Sequence, residues 1–147
     1  MDPKIPCAML SLRQAARSVT QLYDEMLRPS GLKGTQYSAL RIVAAREPVS
    51  VSELSEIMVM DRTTATRNLR LLERDRLVRL SPGGDRRTRL VSLTRRGRST
   101  LEKANPYWAE AQRAVEARFG KAKFESLRGE LARMTEVTRE ELEARVS

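Results

Sequence analysis

One short segment, residues 81–94 (SPGGDRRTRLVSLT), restricts the fold of this chain more than any other. Its Pro-Gly-Gly sequence is typical of a tight turn, and the residues beyond the turn alternate toward Val91 and Leu93 as a half-buried strand does. We therefore predict a β-hairpin with strands at residues 78–81 and 88–93. Elsewhere apolar residues recur at spacings of three and four, so we expect a mainly α chain that carries one small hairpin.

Four helices are predicted before the hairpin. The apolar stripe of the first covers about residues 8–28, and the second begins at Thr35 as its N-cap. Ser50 and Glu53 form a capping-box pattern at the start of the third helix, and Asp61 stands where it would cap the fourth. Two short helices separated by about three residues are typical of a helix-turn-helix.

Two longer helices are predicted after the hairpin. Thr94 is the N-cap of one that extends to about residue 118, and Gly120 separates it from another at residues 121–145. The terminal helices carry more apolar stripe than one small domain covers, and an uncovered stripe of that size predicts a partner chain.

Positive charge is concentrated in one part of the chain. The protein has 28 Lys and Arg against 19 Asp and Glu, a net charge of +9. The segment from Arg62 to Arg98 holds twelve arginines and three acids, so it accounts for the whole excess. Localised basic charge predicts a polyanion site, and the alternative is a basic face that only water contacts.

Composition argues against catalysis and metal binding. The chain has no histidine, which removes the commonest general base and the commonest metal ligand. No nucleophile with a base and no paired carboxylates stand out, so we predict neither an enzyme nor a cofactor. A single cysteine excludes an internal disulfide framework and fits a reducing compartment. Without a spanning apolar run or a signal-peptide pattern, the expected location is the cytoplasm.

The fourth helix is predicted to read DNA with the face opposite its apolar stripe. Arg67 is long enough to fork onto a guanine edge, threonines offer a hydroxyl and a methyl group, and Arg70 lies where it would meet phosphate. The predicted DNA-binding residues of the helix-turn-helix are Ser52, Thr63, Thr64, Thr66, Arg67, Arg70 and Arg74.

The hairpin is interpreted as a wing whose tip enters the neighbouring minor groove. Arg86 and Arg87 are its predicted DNA-binding residues, because a narrow minor groove attracts inserted arginine. Asp85 would repel phosphate, so we expect a structural role for it. The carboxylate is predicted to accept hydrogen bonds within the turn and to pair with an arginine.

These segments resemble the MarR family. DRRTRLVSLT fits the wing signature D-x-R-x(5)-L-T on Asp85, Arg87, Leu93 and Thr94, and MDRTTATRNLRLLERDRLV is similar to the recognition helix of the family. LRPSGLKGTQYSALRIV is similar to its first-to-second helix junction, and the resemblance extends from about residue 8 to the end. One position departs from the pattern: Arg76 stands where the family usually has the glycine that ends the recognition helix.

The resemblance implies a homodimeric transcriptional regulator, usually a repressor, that a small aromatic or phenolic ligand or oxidation releases from DNA. The expected fold is mainly α (α+β), a winged helix-turn-helix with N- and C-terminal dimerisation helices, six helices and one β-hairpin wing. Residues 1–34 and 99–147 would form the dimer, and residues 35–98 would bind DNA. A two-fold dimer sets its recognition helices roughly 34–36 Å apart and predicts a palindromic operator.

Two sets of residues are candidates for sensing a signal. Arg13, Arg17 and Tyr37 suit a cleft for a phenolic acid, because arginine pairs with carboxylate. The alternative is that Tyr37 belongs to the core and the arginines form ion pairs. Cys7, near the start of the first helix, is a candidate for thiol-based oxidant sensing, and the alternative is a bystander thiol.

A different class of protein would share the basic charge. A nucleoid-packaging protein that binds DNA without sequence preference needs the charge but not the helix-turn-helix spacing, and its affinity would not depend on the operator sequence.

Overall fold

The computed structural model describes residues 7–85 and 87–146, which divide into two compact units, one ending at Ala109 and the other beginning at Glu110. The predicted mainly α fold with six helices is confirmed. The elements are α1 (Ala8–Leu27), a 3-10 turn (Arg28–Ser30), α2 (Gly34–Arg46), β1 (Val49–Ser50), α3 (Val51–Ile57), α4 (Arg62–Arg74), β2 (Val78–Pro82), β3 (Arg89–Leu93), α5 (Arg95–Phe119) and α6 (Lys121–Val146). Within the described ranges no helix is long and apolar enough to cross a membrane.

The hairpin belongs to a three-stranded antiparallel sheet with the order β1–β3–β2. Val91 of β3 pairs with Val49 on one side and with Leu80 on the other. The sequence predicted only β2 and β3. It ended β2 one residue early, at Ser81, and it began β3 one residue early, at Thr88. β1 was missed because a strand of two residues is too short to show alternation.

The prediction that Thr35 is the N-cap of α2 is wrong, because the helix begins at Gly34. Lys33 occupies the N-cap position, and its N–H donates to the side chain of Gln36 at 3.0 Å. The N–H of Gly34 donates to Oδ1 of Asp24 in α1 at 2.7 Å. A carboxylate ten residues earlier thus satisfies a first-turn donor of α2, and local capping rules do not reveal such a partner.

Side chains cap the two helices of the helix-turn-helix as predicted. Oγ of Ser50 accepts the N–H of Glu53 at 3.0 Å, and Oδ1 of Asp61 accepts the N–H of Thr64 at 2.9 Å. Only half of the predicted capping box forms at Ser50, because the carboxylate of Glu53 pairs with Arg46 at 3.2 Å.

The core of the first unit lies between α2, α4 and the inner face of the sheet. Apolar side chains three or four positions apart bury one side of each helix, and alternate residues bury one side of each strand. The fully or nearly fully buried residues of this core include Leu40, Val43, Val49, Leu69, Leu72, Val78 and Val91. The opposite face of α4 is left to solvent.

Helices α3 and α4 each end at a non-glycine residue in the left-handed conformation. Val59 has φ 51° and Arg76 has φ 58°. After α4, the N–H of Arg76 donates to the carbonyl of Glu73, and the N–H of Leu77 donates to that of Leu72. This is a Schellman motif, whose left-handed position favours glycine. Arg76, which departs from the family pattern, therefore forms the same motif as glycine would, but its Cβ atom is sterically strained in the left-handed conformation.

In the second unit, α6 follows Gly120, whose φ of 92° ends α5 as the sequence predicts. None of the described side chains of α6 is buried. Its apolar stripe includes Leu127, Leu131, Met134 and Val137, which are between 38% and 49% exposed.

Helix α1 of the first unit also leaves most of its side chains exposed, because only Leu27, at its end, is buried.

The packing at Gly97 gives a first prediction. A Cβ atom there would lie 1.8 Å from the carbonyl oxygen of Leu77, whereas one at Gly129 in α6 would meet no atom within 4 Å. Gly97→Ala should therefore lower the free energy of unfolding by about 1–3 kcal/mol. Gly129→Ala should raise it by about 0.5–1 kcal/mol, as expected for a helix interior. Urea unfolding measures both, and equal midpoints for Gly97→Ala and the parent would contradict the close packing.

The strain at Arg76 gives a second prediction. Arg76→Gly should raise the free energy of unfolding by about 0.5–1 kcal/mol, since relief of the left-handed penalty exceeds the entropy that glycine adds to the unfolded chain. Arg76→Ala is the control, because it removes the side chain and keeps the strained Cβ. If alanine stabilised the protein as much as glycine in the same urea titration, the strain would not be the cause.

Candidate nucleic-acid interface

The exposed face of α4 brings most of the predicted reading residues together. They share one side of the helix because they follow one another at spacings of three and four, opposite the buried Ala65, Leu69 and Leu72. A shallow hollow of ≈ 530 Å³ is lined by Arg62, Thr63, Thr66, Arg67 and Arg70. Arg62 was not among the predicted residues, although its spacing from Thr66 would have placed it there.

The arginines of this hollow are not neutralised by neighbouring acids. Within residues 7–85 and 87–146, no side-chain hydrogen bond or ion pair is made by Arg62, Arg67 or Arg70. Arg74, further along the helix, donates from Nε to Asp75 at 3.2 Å, and both side chains are exposed. Such an exposed pair is weak, so Arg74 remains accessible to a stronger anion. The face can therefore attract a polyanion.

The threonines of α4 divide into two roles. The hydroxyl of Thr64 donates to Oδ2 of Asp61 at 2.6 Å, so this side chain completes the N-cap. This hydroxyl and the N–H of Thr64 hold the pKa of Asp61 below its usual range. The hydroxyl of Thr66 donates to the carbonyl of Arg62 at 2.7 Å, which leaves an oxygen lone pair and a methyl group for a ligand.

Ser52 lies on α3 and is exposed, but it does not line the hollow on α4. Its carbonyl accepts a hydrogen bond from Oγ of Ser55 at 2.7 Å. The structure thus places Ser52 on the other helix of the helix-turn-helix, close to the N-terminus of α3.

The turn of the hairpin is organised by Asp85. Its Oδ1 accepts the backbone N–H of Arg87 at 2.8 Å and that of Thr88 at 2.7 Å. These hydrogen bonds hold the pKa of Asp85 below its usual range. The expected ion pair between Asp85 and an arginine is absent from the described residues, and the donors to its Oδ1 are backbone N–H groups. Arg87 is exposed at the tip, and Arg86 lies outside the described residues.

Gly83 makes the close turn possible. Its N–H donates to the carbonyl of Thr88 at 2.8 Å, and a Cβ atom at this position would lie 2.7 Å from Cγ2 of Thr88. Close packing across the hairpin therefore requires glycine at position 83. At Gly84 a Cβ atom would meet no atom within 4 Å, so packing does not require glycine there.

Tyr37 is a core residue whose polar end reaches a cluster that the sequence did not reveal. Its hydroxyl donates to Oδ1 of Asn105 at 2.9 Å and accepts from Nη1 of Arg41 at 3.4 Å. The ring stacks on Trp108 at 5.9 Å between centroids, and the guanidinium of Arg41 lies 4.6 Å from the centre of the Trp108 ring. The four-residue spacing of Tyr37 and Arg41 on α2 was the available signal.

Two clefts border this cluster. One of ≈ 490 Å³ includes Tyr23, Tyr37 and Trp108 in its lining, and one of ≈ 430 Å³ includes Arg41, Asn105 and Trp108. The other predicted ligand residues, Arg13 and Arg17, are exposed on α1 and line neither cleft.

Cys7 occupies the N-cap position of α1 and is partly buried. Its carbonyl accepts the N–H of Ser11 at 3.1 Å. In the described part of the chain, no three His, Cys, Asp or Glu side chains are grouped so that they could hold a metal ion.

Comparison with known proteins identifies relatives of the chain. A model of the MarR family matches residues 30–88. The homoprotocatechuate degradative operon repressor of Escherichia coli is 30% identical over 128 residues, which cover 86% of this chain and 84% of that protein. The uncharacterized HTH-type transcriptional regulator YwoH of Bacillus subtilis is 30% identical over 94 residues, covering 64% of this chain and 69% of that one.

The solved structures agree with the family model. The M. tuberculosis transcriptional regulator MosR, crystallised in complex with DNA, superposes with a TM-score of 0.83 at 39% identity, covering 90% of this chain and 96% of that one. These relatives are transcriptional regulators, which confirms the prediction that the chain is not an enzyme. The winged-helix fold, the exposed basic face of α4 and these similarities agree, and the chain belongs to the MarR family of DNA-binding transcriptional regulators.

Proposed function

We propose that this protein is a homodimeric repressor that binds a palindromic operator in the cytoplasm and is released from it by a small aromatic or phenolic acid. The observation that carries the proposal is the α4 face next to an arginine-tipped hairpin. Three arginines that have no ion pair among the described residues surround two threonines there. Unpaired cations on a helix that fits the major groove are the arrangement that a DNA duplex neutralises.

Each residue of the face has a proposed contact. Arg67 forks onto a guanine edge in the major groove, and Thr66 offers its lone pair to an amino group or its methyl to thymine. Arg70 and Arg74 bind phosphate, as does the newly included Arg62. The remaining proposed DNA-binding residues are Ser52, Thr63, Thr64, Arg86 and Arg87, the last two in the minor groove.

The apolar surfaces of α1 and α6 support the dimer. Leu127, Leu131 and Met134 stay partly exposed on α6, as do Val19 and Leu22 on α1. Apolar stripes of this extent are unusual on a monomer in water, and a second copy would cover them. Residues 1–34 and 99–147 are proposed to form the dimer and residues 35–98 the reading head, with half-sites roughly 34–36 Å apart.

Different observations support the proposed repression and the proposed release of the protein from DNA by a ligand. The name of the Escherichia coli relative, a degradative operon repressor, supports repression. The two clefts beside Tyr37 and Trp108 support a ligand with an aromatic ring, and Arg41 would pair with its carboxylate. Arg13 and Arg17 would have to approach the ligand from α1.

Two alternatives are kept for the same protein. Oxidation of Cys7 would replace the acid as the releasing signal, and its position before α1 is the feature that favours it. Non-specific binding to nucleoid DNA would replace operator recognition, and the net charge of +9 is the feature that favours it.

The third prediction concerns the two DNA contacts. Arg67→Ala should reduce the preference for the operator by about 1–3 kcal/mol at one base position. Arg87→Ala should weaken binding to the operator and lower the slope of log affinity against log salt by about two, one for each subunit of the dimer. Fluorescence anisotropy with the palindromic duplex upstream of the gene and a scrambled duplex, over a salt series, measures both effects.

Arg46→Ala is the control, because it removes the same charge from an exposed side chain that is not among the proposed DNA-binding residues. Operator binding by Arg87→Ala that equals the parent's would contradict the wing contact. If the parent binds both duplexes equally, selection from random duplexes then separates a wrongly chosen operator from non-specific binding.

The fourth prediction concerns the wing turn. Asp85→Ala should weaken operator binding by about tenfold, because Arg87 and Thr88 lose the acceptor that orders the tip. Asp85→Asn keeps an oxygen acceptor and removes a negative charge near DNA, so its affinity should equal or exceed that of the parent. The same anisotropy assay decides, and equal losses in both variants would mean that the charge, not the turn, is required.

The ionisation of Asp85 predicts the pH range of this effect. Because its pKa is lowered in the folded protein, the contribution is present above the unfolded pKa and disappears only as the pH falls through the folded value. The contribution of Asp85 to operator binding should therefore not change with pH near neutrality, where its carboxylate stays ionised.

A further inference from the structure

Glu47 holds the root of the wing through its side chain. It follows the last residue of α2, and its Oε2 accepts the backbone N–H of Leu93, the last residue of β3, at 2.8 Å. The other carboxylate oxygen, Oε1, accepts from Nη2 of Arg98 in the first turns of α5. One carboxylate thus joins the end of α2 to the wing and to α5.

The sheet register explains why this link is needed. Val49 and Ser50 of β1 pair with Val91 and Leu90 of β3, so residue 47 would stand opposite Leu93 if β1 continued. Strand β1 begins at Val49, so no backbone carbonyl of residue 47 joins the ladder. The N–H of Leu93 would then lack a partner on that side of β3, and the carboxylate of Glu47 replaces the missing backbone carbonyl.

Charge strengthens the link. Burial by itself would raise the pKa of Glu47, but the N–H of Leu93, Arg98 and the nearby Arg79 of β2 together hold it below its usual range. The side chain of Glu47 is 23% exposed, so its bonds are partly protected from water. The wing root therefore carries an ionised acceptor between two arginines.

We propose that Glu47 is a positioning residue for DNA binding, which holds the wing at the angle that brings Arg87 to the DNA. The strands between the root and the tip of the wing are five residues long, about 17 Å at the rise of a strand. A tilt of about 10° at the root would move the tip by about 3 Å, which is the length of a hydrogen bond. The inference rests on the proposed wing contact of Arg87.

A double-mutant cycle in operator binding tests the inference. Glu47→Ala should weaken binding of the dimer to the palindromic duplex by about tenfold, and by less than about twofold when Arg87→Ala is already present. The two substitutions are not additive because both remove the same contact. Glu47→Ala should also lower the salt slope by about two, as Arg87→Ala does in the dimer, which a general loss of stability would not do.

Two further variants keep the test independent of folding. Glu47→Gln retains an oxygen for Leu93, so it should keep the fold and lose less affinity than Glu47→Ala. Arg98→Ala breaks the ion pair from the other side and should lose affinity by a similar factor, again only while Arg87 is present. Glu53→Gln is the control for the change in net charge, because Glu53 forms an exposed ion pair with Arg46 and is not among the residues proposed to bind DNA or to form the dimer.

The outcomes separate this inference from the proposed function. Non-additive losses for Glu47→Ala and Arg87→Ala would support both. If Arg87→Ala weakens binding but Glu47→Ala adds its full loss to it, the role of Glu47 is wrong and the wing contact stands. If Arg87→Ala has no effect on operator affinity, the wing contact is wrong, and the inference falls with it.

Discussion

The end of α4, the root of the wing and the start of α5 meet at the carbonyls of Arg76 and Leu77, and the geometry of the reading face depends on this junction. The hydroxyl of Thr94 donates to the carbonyl of Arg76 at 2.6 Å, and its N–H donates to that of Leu77 at 3.1 Å. The N–H of Gly97 then donates to Oγ1 of Thr94 at 2.9 Å and begins α5. Because Gly97 lacks a side chain, the start of α5 packs directly on the Leu77 carbonyl, between the end of α4 and the first strand of the wing.

Four acids near the basic face stabilise the scaffold, whereas Asp75 pairs with Arg74 at the end of α4. Asp61, Glu73, Asp85 and Glu47 each accept at least one backbone N–H, at the start of α4, on β2, in the wing turn and at the wing root. A carboxylate oxygen that accepts a backbone N–H is held in place by it. The arrangement leaves positive charge on the exposed side of α4 while the negative charge shapes the elements around it.

Local chemistry predicted much of the fold. The N-caps at Ser50, Asp61 and Thr94 were expected correctly because each depends on residues within three positions. The start of α2 was expected at Thr35 and lies at Gly34, since its first donor is satisfied by a carboxylate ten residues away. Interactions of that sequence separation leave no periodic pattern to read.

The candidate site was predictable to a similar degree. The face of α4 followed from helical spacing, and Arg62 would have followed from the same rule. The cluster of Arg41, Asn105 and Trp108 around Tyr37 could not be predicted, because α2 and α5 are brought together only by the folded core. The bridge from Glu47 to Leu93 spans 46 residues and was equally hidden.

The amino-acid sequence by itself determined which segments are helices, where the hairpin turns and which quarter of the chain carries the charge, because caps, turn residues and side-chain spacing act over a few residues. Only the tertiary structure decided that β1 completes the sheet, that Tyr37 is a core residue and that an acid after α2 holds the wing. These features depend on groups far apart in the chain, whose hydrogen bonds and packing exist only once the core has brought them into contact.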